Sequence, residues 1–155
     1  MKISCDKVCS DHHDVTNLIA TDPAKRRAGF LTEYFIRPPV TIKIELLKFN
    51  IDLMSIQIGL NVRTHRSKGI EVYVMTGTSD TQQMIAKCHN TPDTLVITNG
   101  AYRPSALLPH VERSDSQSYS IAGRNLKHCT NIRCILIKIL YTLNSSVPCL
   151  GFINV

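Results

Sequence analysis

The chain has 155 residues, 43% apolar and 19% charged, with no low-complexity run. This excludes a disordered tail and fits one ordered domain able to bury about 70% of the surface it exposes when unfolded. A net charge of +6 permits contact with nucleic acid, an acidic protein or an anionic membrane without choosing among them.

Met1 to Ser10 is interrupted by Lys2, Asp6 and Lys7, so no signal peptide is legible there. Asp14 to Ile19 can open with a capped turn. The segment Thr32 to Ile36 ends at Pro38-Pro39, which cannot donate to a ladder and redirects the chain. A strand follows from Val40, where Ile42, Ile44 and Leu46 alternate with Thr41, Lys43 and Glu45. Ile56, Ile58 and Leu60 alternate with Gln57 and Gly59, and Ile70, Val72 and Val74 with Glu71 and Tyr73. The stretch Asn61 to Lys68 reads as a polar connection. Ser79-Asp80 can cap a helical turn through Gln82 and Met84. Thr94 to Thr98 is a short strand closed by Asn99-Gly100, a tight-turn dipeptide. Further polar connections fall at Gly77 to Thr81, Arg103 to Pro109 and Asn144 to Ser146.

Ile132 to Leu143 is the strongest strand. Apolar residues occupy both parities, Ile135, Ile137 and Ile139 against Ile132, Cys134 and Leu136, which predicts a central strand covered on both faces by packed sheets. Its longest apolar run, Cys134 to Leu143, is broken by Lys138 and is too short to span a membrane. Short strands separated by turns predict an all-β chain, an antiparallel β-sandwich formed as a single domain over residues 1–155.

Four groups could carry chemistry. Cys5, Cys9, His12 and His13 could ligate zinc, and Cys5 and Cys9 meet the loosest knuckle spacing, but C-x2-C occurs nowhere and the later neighbours Cys88-His89 are not a second knuckle, so no metal and no cofactor are expected. The six cysteines, Cys129 and Cys134 among them, are expected as free thiols in a reducing, intracellular compartment. Cys88-His89 suggests a nucleophile and base, yet neighbours in a strand point to opposite faces. No nucleophile-elbow, phosphate-loop or dinucleotide pattern occurs, so no catalysis by this chain is expected. Two basic groups remain, Lys25-Arg26-Arg27 and Arg63, His65, Arg66 and Lys68, each read as solvated loop, docking patch for acidic protein, import signal or phosphate track. Aromatics do not alternate within either group, which disfavours nucleic acid.

The segment AKRRAGFLTEYFIRPPV, Ala24 to Val40, closely resembles the N-terminal region of the RING finger protein 37 family, also called U-box domain-containing protein 5. CDKVCSDHHDVTNLIATD from Cys5 resembles that family's opening segment. Lys48 to Ile51, Ile56 to Leu60, Gly69 to Tyr73, Ile132-Arg133-Cys134 and Val147-Pro148-Cys149 recur in the same order. The resemblance implies a β-sandwich of the discoidin or galactose-binding jelly-roll type, from a family of E3 ubiquitin ligases. The ligase parts, a U-box and a RING-like finger, have no counterpart here, since the Asp-Pro-Ile opening and any C-x2-C are absent. It further implies an association with ubiquitin-conjugating enzymes and valosin-containing protein, and a place in the nucleus or cytoplasm rather than on a membrane.

These expectations combine into a non-catalytic interaction module that recruits ligase substrates or other protein partners. The candidate partner-binding residues are Lys25, Arg26, Arg27 and Arg37. A sugar-like small ligand at the loop end is the alternative, although a chain with no Trp, five Tyr and four Phe has few aromatics to build such a site. A basic nucleic-acid binder comes third.

Overall fold

A computed structural model describes residues 1–48, 51–88, 94–98, 118–122, 130–144 and 146–155. Two sheets pack face to face. The first runs in the order β1 (Lys2–Cys5), β3 (Val40–Glu45), β10 (Ile132–Thr142), β6 (His65–Thr76), with β5 (Asn61–Val62) and β7 (Gln83–Cys88) both along the far side of β6. The second runs β12 (Phe152–Asn154), β4 (Ser55–Gly59), β8 (Thr94–Thr98), β9 (Ser118–Ala122). A two-stranded ladder joins β2 (Phe30–Leu31) to β11 (Cys149–Leu150). All pairs are antiparallel except β8 with β9, which is parallel.

Period two produces this arrangement directly. Along β3, Val40, Ile42 and Ile44 are fully buried while Thr41, Lys43 and Glu45 are not. They share one core with Ile70, Val72 and Val74 of β6, Ile135, Ile137 and Ile139 of β10, and Ile56, Ile58, Leu95 and Ile97 of the opposite sheet. Each such side chain contributes about 1.5–3 kcal/mol on burial.

β10 is central, flanked by β3 and β6, and among the described residues no strand is seen to cover its second face. Cys134 and Leu136 are only 2% and 6% exposed because long neighbours flank them in register: Glu45 and Met75 beside Cys134, Lys43 and Tyr73 beside Leu136. Lys138 lies 4.4 Å from the Tyr73 ring centre. Tyr73 donates to Glu71 at 2.7 Å, and Lys87 pairs with the same carboxylate at 3.0 Å. These partners hold the Glu71 carboxyl below its ordinary range. A bulge between Ile132 and Cys134 turns Ile132 into the core despite its even number.

Local expectations hold in part. Asp14 caps a 3-10 turn, Val15–Ile19, by accepting from the Thr16 amide and hydroxyl. Ser79 accepts from the Thr81 amide, but no helical turn follows; the chain enters β7 at Gln83 instead. Asn61 to Lys68 is a hairpin rather than a connection, β5 and the start of β6 closing on Arg63-Thr64 with Arg63 at φ 53°. One helix was not foreseen: α1, Pro23–Ala28, capped by Asp22 and started by Pro. Asn99-Gly100, the Arg103 to Pro109 connection, His89, Cys129 and the middle of Asn144 to Ser146 lie outside the described residues.

Candidate recognition surfaces

At one end of the sandwich, residues 8–10, 31–33 and 148–150 lie side by side. The amide of Ser10 donates to Leu31 at 2.9 Å, that of Glu33 to Val8 at 3.1 Å, and that of Thr32 to Pro148 at 3.1 Å. Cys9 bridges Thr32. Ser67 of β6 fastens this group to the first sheet: its buried hydroxyl donates to the Cys149 carbonyl at 2.7 Å and accepts from the Cys149 amide at 2.9 Å.

The chain leaves this anchor at Glu33 and turns through Tyr34 and Phe35. Phe35 has φ 72°, a left-handed conformation that costs an L-residue about 1–2 kcal/mol. Its ring is nonetheless 96% exposed, beside Tyr34 at 74% and Val8 at 59%. The two rings stand 6.5 Å apart at 58°. A bulky apolar side chain this exposed gains little burial to offset the strain of its backbone.

Next to this tip lies a cleft of about 660 Å³ among Asp11, His13, Glu33, Tyr34, Arg63 and His65, within the size range of small-ligand sites. The two histidines are set oppositely. His13 Nδ1 donates to the Ala28 carbonyl at 2.6 Å, whereas His65 Nδ1 accepts from the Val147 amide at 3.3 Å. A neutral His13 thus keeps a bare Nε2 and a neutral His65 a protonated one. Among the described residues, the side chains of Asp11, Glu33 and Arg63 make no hydrogen bond or ion pair.

Of the four candidate partner-binding residues, the fold groups three. Lys25, Arg26 and Arg27 share α1, and Arg26 is held through Asn154, which is 3.2 Å from Gln57. In that relay the Arg26 guanidinium donates to the Asn154 carbonyl oxygen and the Asn154 amide nitrogen donates to the Gln57 carbonyl oxygen. Arg26 and Arg27 border a shallow depression of about 430 Å³ with Pro23, Gly151 and Phe152. Arg37 is exposed on the turn beyond Phe35 and takes no part in that depression. The second basic group is dispersed: Arg63 borders the cleft, the His65 ring holds Val147, and Lys68 is half-buried in β6.

The cysteines are placed for packing. Among the described residues Cys5, Cys9, Cys88, Cys134 and Cys149 form no disulfide. Burial pushes the Cys5 thiol up to about 11 and raises the other four as well. Cys88 faces the core, so its thiol is a neutral hydrophobe. Among the described residues no three His, Cys, Asp or Glu side chains gather as a metal site.

A family model described as a family of unknown function, DUF5918, matches residues 1–155. The chain belongs to that family. This DUF5918 chain is 36% identical to mouse RING finger protein 37 over 91 residues, 58% of this chain and 17% of that protein. It is 30% identical to the human protein over 126 residues, 81% of this chain and 20% of that one. It therefore spans about a fifth of the length of these curated relatives. In fold it is similar to the family 32 CBM from C. perfringens NanJ, solved in complex with galactose, with TM-score 0.64 at 10% identity, covering 99% of this chain and 90% of that one. The DUF5918 chain thus has the galactose-binding type of β-sandwich expected from the resemblance.

No sequence signal marked Phe35 as exposed or left-handed, since Gly or Asn is the usual residue at positive φ. The cleft escaped notice because its walls come from four separate stretches of chain.

Proposed function

We propose that this DUF5918 chain is a non-catalytic recognition module that recruits a protein partner or substrate to a ubiquitin ligase. The observation that carries this reading is the Phe35 tip. An exposed aromatic side chain is a usual anchor of a protein interface, because it offers a large apolar area to bury on docking. The similarity to RING finger protein 37 supports the ligase context. Ubiquitin-conjugating enzymes and valosin-containing protein, in the nucleus or cytoplasm, belong to the same proposal.

Proximity labelling by this chain and by its Phe35→Ala variant tests the reading. A defined set of proteins should disappear with the variant while its melting temperature stays within a degree or two, roughly the effect of a neutral surface change. An unchanged set would overturn the proposal. The isolated chain should also leave a ubiquitin-charged conjugating enzyme intact, and discharge would contradict a non-catalytic role.

A second reading is favoured by the cleft itself. Unpaired carboxylates, an unpaired Arg63, oppositely set histidines and the Tyr34 ring suit a neutral polyhydroxylated ligand, as does a fold shared with a module solved with galactose. Titration with methyl galactoside, followed by NMR, should shift the His65 and Thr64 amides and lose that effect in Tyr34→Ala. Absence of any saturable shift would remove this reading and leave the tip untouched.

A further inference from the structure

We propose that the face formed by α1 and β12 binds an extended acidic protein segment that carries one apolar side chain among its carboxylates. This site is independent of the loop end.

The sequence Lys25-Arg26-Arg27 alone would describe a solvated helix face. Three structural observations separate it from one. First, nearby acid is committed elsewhere: the Asp22 carboxylate accepts from the Ala24 amide at 2.9 Å as the helix cap, and the first turn holds no other acid. Second, the three cations differ in state. Arg26 is half-buried and tied through Asn154 to Gln57, which fixes α1 against the edge strand β12 and β4. Lys25 and Arg27 are exposed, and among the described residues neither side chain makes a hydrogen bond or ion pair. Third, the surface beside them is apolar and preformed. The Phe152 ring lies over Gly59, where a Cβ would come within 2.6 Å of it, so only glycine at that position leaves the ring its place. Pro23, Gly151 and the stem of Arg26 complete the walls of the depression.

The result is a small apolar floor with a cationic rim. An apolar side chain would enter over Phe152, and flanking carboxylates would reach Arg27, whose planar fork donates two parallel bonds, and Lys25. The same charges would speed encounter with an acidic segment. A nucleic acid fits less well, since the floor is a single half-buried ring and offers no series of exposed faces on which bases could stack.

Fluorescence polarisation on the whole chain tests the proposal with one probe: a short fluorescein-labelled peptide with a central leucine between glutamates. The expected result is saturable binding that weakens with added salt and falls at least about tenfold when lysines replace the glutamates. Serine in place of leucine should weaken it several-fold. The variant Lys25→Glu/Arg27→Glu should lose the peptide at an unchanged melting temperature, because both side chains are exposed. Phe152→Leu should retain the fold and keep only part of the parent's affinity, with its melting curve checking the first point. No binding, equal binding of the leucine and serine peptides, or unchanged affinity in the double variant would each overturn the proposal. So would tighter binding of a single-stranded oligonucleotide that the double variant loses. Phe35→Ala should bind the peptide as the parent does, and loss there would place the site at the tip instead.

Discussion

At most positions glycine destabilises a protein relative to alanine; at position 35 the order should reverse. Phe35 sits at φ 72°, where an L-residue is disfavoured by about 1–2 kcal/mol, and glycine's greater freedom in the unfolded chain offsets about 0.5–1 kcal/mol of any relief. The ring is 96% exposed, so its removal forfeits little burial, and its contact with Tyr34 disappears equally in either variant. Phe35→Gly should therefore exceed Phe35→Ala in stability by about 0.5–1 kcal/mol. For a chain of this length that is a difference of roughly 2–3 °C in melting temperature. Parallel urea and thermal unfolding of both variants gives the sign without depending on the absolute stability. Alanine as the more stable variant would refute the left-handed backbone at this site, and with it the argument that the exposed ring is held under strain.

Ser67→Ala should cost about 2–3 kcal/mol, since the buried amide and carbonyl of Cys149 lose their shared partner; a loss below about 0.5 kcal/mol in urea unfolding would show that the clamp does not hold the loop end. Gly69→Ala should destabilise by more than about 1 kcal/mol, because φ is 72° and the new Cβ would lie 2.4 Å from the Tyr141 ring. Repeating it with Tyr141→Ala should recover the steric share and leave the backbone share, and no recovery in this double-mutant cycle would dismiss the ring contact. Stability should also fall in alkali. Burial raises the folded Cys5 thiol from 9.0 to about 11, so the unfolded chain deprotonates first; the contribution is complete below pH 9 and is lost as pH rises toward 11. The urea midpoint should drop across that interval less steeply in Cys5→Ala, and identical slopes would exclude the thiol as a source.

The strands were legible because burial on one side of a pleated strand writes period two into the chain. Val40 to Glu45 follows it residue by residue, and Ile56 to Leu60 and Ile70 to Val74 follow it except at Gly59 and Glu71, which are buried as well. Hydrophobicity on both parities of β10 likewise marked it as central. It could not tell a second sheet from a roof of Lys43, Tyr73 and Lys138, since the long stems of such residues cover apolar surface while their polar ends stay in water. The basic triplet at Lys25 was visible as charge; that it forms a helix beside Phe152, with Arg26 bound to Asn154, depends on a contact across most of the chain.

What the sequence by itself determined is the alternation of buried and solvated positions, and so the class of fold, because that information is local and repeats every two residues. Only the tertiary structure decided the surfaces. The tip stands out in solvent because residues 8–10 and 148–150 pin the backbone on both sides of residues 31–33, and the cleft exists because four distant segments meet there. Hydrogen bonds between remote segments set those positions, and no local pattern of residue types records them.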